Sequence, residues 1–165
     1  MDVTVRRVRP EETDRYREVR LRALAEDPDA FATTHEQALA RLPAEWEDLV
    51  ARWTADPAAS LWIAEADDGR WVALAAGVRS DDEPGTIELV QVWSAPEVRR
   101  TGVARRILEA IIAAGRDAAP NGFGLWVASG NDGAARFYES IGFVATTDFV
   151  AKPFFPCDIR MVLRP

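Results

Sequence analysis

The stretch from Val92 to Leu108 carries the residues whose spacing points most directly to chemistry, because it reads as a strand running through a short basic turn into a helix. The first turn of a helix has unpaired backbone N–H groups and the positive end of the macrodipole, so phosphate oxygens are favoured there without any dedicated side chain. Gly102 lets the backbone approach a ligand closely, and Ala104 is too small to obstruct it. Arg99, Arg100, Arg105 and Arg106 crowd this helix start, where cations are disfavoured unless an anion offsets them. A polyphosphate partner accounts for both features.

Residues Arg99-Arg-Thr-Gly102-Val-Ala104 fit the pattern Arg/Gln-x-x-Gly-x-Gly/Ala, with Val92 and Pro96 upstream. Further along, Asn131-x-x-Ala134-x-x-x-Tyr138-x-x-x-Gly142-Phe143 supplies a second pattern at compatible spacing. Together they resemble the signatures of the GNAT superfamily of N-acetyltransferases, the first being its acetyl-CoA-binding motif. The close match runs from Thr86 to Phe143, Arg22 to Phe31 looks like the amino-terminal helices of many bacterial members, and Ile159 to Leu163 suits the last strand. The resemblance implies an acyltransferase that moves an acetyl group from acetyl-CoA to a primary amine by direct transfer in a ternary complex. It also implies an α+β fold whose central mixed, mostly antiparallel sheet has helices on both faces and opens a slot for acetyl-CoA where strand four splays from strand five.

The same resemblance assigns roles. Backbone groups near Trp93 and Ser94 would pair with the pantetheine amides like an added strand, and Arg99, Arg100, Thr101, Gly102, Val103, Ala104 and Arg105 would hold the CoA phosphates. Asn131 resembles the residue that bonds the pantetheine arm, and helix capping is a compatible role. Ser94 stands where many relatives have a β-branched residue, and Arg100 where Gly is frequent, so the turn is expected to fit less closely than usual. Tyr138, one residue past a core-facing Phe137, would approach the thioester sulfur and donate its proton to the departing thiolate; the alternative is a half-buried aromatic with a bonded hydroxyl.

Attack on a thioester requires a neutral amine, and an alkylammonium has a pKa near about 10, so a proton must be removed. Glu88 stands where histone-type relatives carry their base, and its strand parity with Val90 and Val92 suggests an apolar setting that raises its pKa. Solvation or pairing with an arginine is the alternative. Gln91, of opposite parity, is a candidate to orient an acceptor. His35 and Cys157 read as a surface residue and a packed strand residue, and no His/Cys/Asp cluster has metal-ligand spacing. A P-loop lacks its Gly-Lys-Ser/Thr ending, and a dinucleotide fingerprint its G-x-G-x-x-G run.

The elements that position these residues follow from periodicity. Val3 to Val8 alternates as a strand, a helix opens at Pro10 to Asp14 and closes at Pro28, and a second helical region from His35 to Trp53 is broken at Pro43. Ser60–Glu65, Trp71–Arg79 and Thr86–Trp93 form an antiparallel meander. Ala104, Ile107, Leu108, Ile111, Ile112 and Gly115 make one helical stripe, followed by a strand from Phe123 to Ala128, a helix capped at Asn131 or Asp132 that Gly142 stops, and a strand from Phe143.

Length suits one domain over residues 1–165, with no internal repeat. A net charge of −7 argues against nucleic acid or anionic lipid as partners, no apolar run approaches the roughly 20 residues of a membrane span, and a lone cysteine with no signal-like start points to the cytoplasm. Eight acids against two arginines between Glu26 and Asp56 would attract a cationic acceptor or simply solvate a helix face. The apolar run Phe149 to Pro156 suggests an acceptor wall or a homodimer seam at Phe154 and Phe155. Two rivals stand beside the acetyltransferase: a non-catalytic acyl-CoA-binding sensor and a transferase of another acyl group.

Overall fold

The chain alternates short amphipathic strands with helices whose ends are marked by caps and prolines, and the computed structural model describes residues 1–149 and 157–165. β1 (Val3–Arg7) is followed by α1 (Thr13–Glu26), which ends one residue before the turn at Pro28–Ala30. α2 (His35–Leu39) starts from a capping box in which the Thr34 side chain accepts from the Gln37 N–H and Gln37 returns a bond to the Thr34 N–H. α3 (Pro43–Thr54) begins on the expected proline, which has no N–H to lose at a first-turn position.

β2 (Leu61–Ala66), β3 (Trp71–Arg79) and β4 (Thr86–Ser94) form the expected meander, and α4 (Val103–Gly115) crosses over to β5 (Gly122–Val127). α5 (Asp132–Glu139), β6 (Val144–Thr146) and β7 (Ile159–Leu163) complete the chain. The seven strands lie in the order β1-β2-β3-β4-β5-β7-β6, antiparallel except for the β4–β5 pair. This is the mixed, mostly antiparallel α+β sheet that the sequence implies. α4 packs on β1 to β4, while α1 packs on β3 and carries α2 and α3. The run Phe149–Pro156, with its seam at Phe154 and Phe155, lies outside the described residues beyond Phe149.

Three local expectations are corrected. The buried stripe of α4 begins at Val103 and skips Ala104, since Val103, Ile107, Ile111 and Gly115 succeed one another at steps of four and turn Ala104 toward the turn at Arg99 to Gly102. In α5 it is Tyr138, not Phe137, that is buried; Phe137 is half-buried beside the basic turn. The parity of β4 does not hold through its length: the β3–β4 register shifts between Leu74 and Ala76, and Gln91 takes φ +57°. A bulge of this kind places two residues opposite one and ends strict alternation.

Arg6 ties β1, the start of α1 and β2 together. Its guanidinium donates to Glu12 at 2.8 and 2.9 Å and to Glu65 of β2 at 2.7 and 2.9 Å, with Arg15 of α1 also donating to Glu65. The hydrogen bond from Arg6, opposed by burial and aided by the Arg9 N–H, holds the Glu12 pKa at about 2 against an ordinary 4.5. A carboxylate depressed in the folded state stabilises the fold above its unfolded pKa and loses that contribution as pH falls through the folded value. Asp56 and Glu97, lowered by hydrogen bonds from Arg79 and Arg22, act in the same direction. Glu12→Gln is therefore expected to lower Tm at neutral pH and to show a smaller loss of Tm between pH 4.5 and 2 than the parent, as read by circular dichroism melts.

Candidate active site

β4 and β5 pair only at their starts, Thr86 with Gly122, Ile87 with Phe123 and Glu88 with Gly124. Beyond Glu88 no pairing joins them among the described residues, so the strands part and the β5-facing backbone of β4 is left without a ladder partner. The bulge at Gln91 adds twist and bend where the gap opens. Two cavities that share Ala30, Val92, Trp126, Tyr138 and Cys157 fill the gap.

The base of this fork is held by charge. Arg160 of β7, fully buried, donates from Nη1 and Nη2 to the two carboxylate oxygens of Glu88 at 2.5 and 2.6 Å, and from Nη2 to Glu83 at 2.7 Å. Burial works against the charged guanidinium, and the carboxylates, Glu88 first, outweigh it so that its pKa stands raised. Its path crosses Gly124, where a Cβ would run into the guanidinium, and its Cζ lies 5.3 Å from the centroid of Trp126. Glu88 does line the cavity, but the apolar setting expected from strand parity is replaced by a bidentate ion pair. The missed signal is the arginine in the otherwise apolar Ile159-Arg-Met-Val-Leu163.

At the other end of the fork, Gly102 caps α4 with φ +87°, and nothing lies within 4 Å of where its Cβ would be. No side chain caps the helix and no acid stands in its first turn. The N–H groups of Val103, Ala104 and Arg105 thus precede the first intrahelical bond and face a cavity lined by Ser94, Arg99, Arg100, Gly102 and Phe137. Arg100 occupies the left-handed region at φ +65°, a conformation glycine adopts without the cost of about 1 kcal/mol that an L side chain incurs. Thr101 folds its hydroxyl back onto the Val98 carbonyl at 2.6 Å, holding the turn.

The arginines divide. Arg99 bonds Asp27 at 2.7 Å and the Ser94 carbonyl at 3.1 Å, Arg105 bonds Ser140, and Arg100 has no partner among the described residues. Arg106 leaves the cluster altogether and donates to the Val3 carbonyl of β1 at 3.0 Å. Trp93 is buried with its Nε1 donating to Asp27 at 2.8 Å, so Asp27 joins the strand to the turn. Uncapped N–H groups, free space at Gly102 and an unpaired arginine fit a polyphosphate such as that of CoA.

Tyr138 stands at the junction of the two cavities in the fork. Burial, with a smaller contribution from Cys157, pushes its hydroxyl well above the ordinary phenol value, so it keeps its proton throughout the physiological range. No described residue hydrogen-bonds to it. Asn131 lines the second cavity and caps α5, its Oδ1 accepting from the Ala134 N–H at 3.1 Å. Cys157, whose thiol burial also pushes up, lines both cavities as a neutral wall. His35 borders neither. Among the described residues no cluster of His, Cys, Asp and Glu is placed to hold a metal, and no helix is long and apolar enough to cross a membrane.

With this geometry in place, a model of the acetyltransferase (GNAT) family matches residues 20–143, and the chain belongs to that family. It is accordingly an acyltransferase. The fold is similar to that of a GNAT-family acetyltransferase of Streptococcus pneumoniae, with a TM-score of 0.79 at 13% identity over 99% of this chain and all of that one. It is also similar to yncA of Salmonella typhimurium, solved with acetyl-CoA, with a TM-score of 0.69 at 17% identity over 99% and 94% of the two chains. A chimera of the spermidine N-acetyltransferase SpeG of Vibrio cholerae gives a TM-score of 0.68 at 20% identity over 99% and 96%. No curated protein matches the chain in sequence.

The clamp on Glu88 depends on the absence of a side chain at Gly124. Gly124→Ala is expected to destabilise the fold by about 1–3 kcal/mol through overpacking against Arg160, seen as a fall of several degrees in Tm. Gly133→Ala, in α5 with only the tip of Asn131 at 3.9 Å, is expected to leave Tm unchanged or raised.

Proposed function

We propose that the protein, acting as one domain over residues 1–165, transfers an acetyl group from acetyl-CoA to a primary amine by direct attack in a ternary complex. The observation that carries this reading is the fork between β4 and β5, with an uncapped helix start at one end and a protonated, unbonded Tyr138 at the junction. The similarity to yncA solved with acetyl-CoA supports the donor. The similarity to a spermidine acetyltransferase supports an amine as acceptor.

In this reading the donor's phosphates rest on the N–H groups of Val103, Ala104 and Arg105, with Arg99, Arg100, Thr101 and Gly102 shaping the turn. Its pantetheine arm bonds the open backbone near Trp93 and Ser94 and passes Asn131. The amine enters from the cavity that Glu88 lines. Glu88, held in place by Arg160, accepts the ammonium proton through the lone pairs that Arg160 does not use, directly or across a water. The nitrogen then bonds the carbonyl carbon, Tyr138 donates its proton to the departing sulfur as the carbon–sulfur bond breaks, and the proton that the nitrogen sheds on becoming an amide returns to Tyr138 across water. Cys157 takes no part as a nucleophile.

Free-thiol release from acetyl-CoA across a panel of amines, with acetyl-CoA binding measured by calorimetry, tests the reading. Acceptor-dependent release supports transfer; binding without release across the panel would favour the acyl-CoA-binding sensor. Tyr138→Phe is expected to lower kcat by about 100-fold or more while leaving acetyl-CoA affinity unchanged, and wild-type turnover would assign Tyr138 to packing. Glu88→Gln is expected to lower kcat while acetyl-CoA affinity is unchanged, and wild-type turnover would exclude Glu88 as the base.

A further inference from the structure

Arg20 of α1 is out of keeping with its surroundings. It is only 7% exposed, yet no carboxylate, carbonyl or hydroxyl accepts from its guanidinium among the described residues, and its Nη1 is completely buried without a partner. The other buried cation, Arg160, bonds two carboxylates and leaves only its Nε without a partner. Arg20 instead lies flat over Phe31, with its Cζ 4.6 Å from the ring centroid. Burial above all depresses its pKa, against an opposing effect of Tyr16 and with the like charge of Arg41 acting in the same direction as burial. Glu88, the one carboxylate bordering the same cavity among the described residues, already accepts from Arg160 with both oxygens.

This guanidinium lines the cavity that contains Glu88, Gln91 and Tyr138. Gln91, on the bulge of β4, accepts from the Tyr16 hydroxyl at 2.8 Å through Oε1, which leaves its amide N–H groups unbonded among the described residues. Two sets of donors therefore border one cavity whose remaining wall is largely apolar, with Phe31, Leu125 and Trp126. At about 200 Å³ the cavity is smaller than the roughly 300–1,000 Å³ of sites for drug-sized ligands. Of the eight acids between Glu26 and Asp56, three are held by arginines of their own: Glu26 pairs with Arg22, Asp27 with Arg99 and Asp56 with Arg79.

From the unpaired buried guanidinium of Arg20 beside the free amide of Gln91, we infer that the acceptor is a small amine that also carries a carboxylate, of amino-acid type with an apolar body. The carboxylate bonds Arg20 and Gln91, and the amine is thereby directed toward Glu88 and Tyr138. The inference rests on the acetyltransferase reading for what happens to the amine. The carboxylate site itself does not.

The test uses matched pairs that differ only in the carboxylate: L-leucine with 3-methylbutylamine, L-phenylalanine with 2-phenylethylamine, and glycine with methylamine. Thermal shift reads binding and thiol release from acetyl-CoA reads turnover, in the parent and in Arg20→Met, which keeps the stem and removes the charge. The carboxylated member of at least one pair is expected to raise Tm and to give kcat/KM at least about tenfold above its amine, in keeping with a charge-assisted hydrogen bond. Arg20→Met is expected to abolish that preference with acetyl-CoA affinity unchanged, and Arg20→Lys to restore part of it. Without any ligand, Arg20→Met is expected to melt at or above the parent temperature, because it relieves an unpaired buried charge. A marked fall in its Tm would make Arg20 a structural residue and overturn the proposal. So would amines used as well as their carboxylated partners, a preference that survives in Arg20→Met, or no Tm shift with any carboxylated compound. Failure of the parent to bind acetyl-CoA would instead strike the transferase reading, and the carboxylate-dependent Tm shift would still report on Arg20.

Discussion

The parting of β4 from β5 is the constraint on which the rest of the molecule depends. Two adjacent parallel strands ordinarily satisfy each other's backbone groups along their length, and an unpaired buried N–H or C=O is costly. Here the pairing stops after Glu88 and Gly124. Arg160 fixes the point of departure, since it reaches over Gly124 to Glu88 and so joins β7 to β4 across β5. The bulge at Gln91 then turns β4 away. One device closes the fork and another opens it, and the backbone groups exposed between them are what a strand-like ligand can satisfy.

The two ends of the fork use different physics. At the turn before α4 the unbonded donors belong to the backbone, and the side chains mostly stay out of the way: Gly102 leaves space, Thr101 folds back on Val98, and Arg106 turns to β1. At the α1 side the cavity is defined by side chains, Arg20, Phe31, Gln91 and Trp126, brought from elements far apart in sequence. Backbone donors depend little on side-chain identity, whereas a wall of side chains depends on it directly.

That division also explains what could be read from the sequence. The turn before α4 was legible because its requirements are local: a glycine free to take φ +87°, small residues after it, and a strand and helix on either side. The order of elements was legible because the proline at Pro43 and the cap at Asn131 act within a few residues. Parity arguments failed along β4, since the bulge at Gln91 is enforced by pairing with β3 and leaves no composition signal. The setting of Glu88 was hidden for a similar reason: its partner lies 72 residues away, and the room for that partner comes from a glycine on a third strand. Arg20 did carry a signal. It falls on the same face of α1 as Tyr16, Val19, Ala23 and Leu24, all buried, and a charge within an apolar stripe calls for a partner.

Arg20 and Arg160 allow that signal to be judged within one molecule. Both are guanidiniums removed from water, both lie against an aromatic ring, and both belong to elements that border the fork. Removing such a charge from water costs several kcal/mol, by the general scale of about that size per ion, unless hydrogen bonds and opposite charge offset it. Arg160 receives that offset from Glu83 and Glu88, and the result is a rigid strut. Arg20 receives none from the described protein. Arg160 keeps one nitrogen, Nε, without a partner, yet its charge is balanced inside the fold; the balance for Arg20 is what the acceptor carboxylate inferred above would supply.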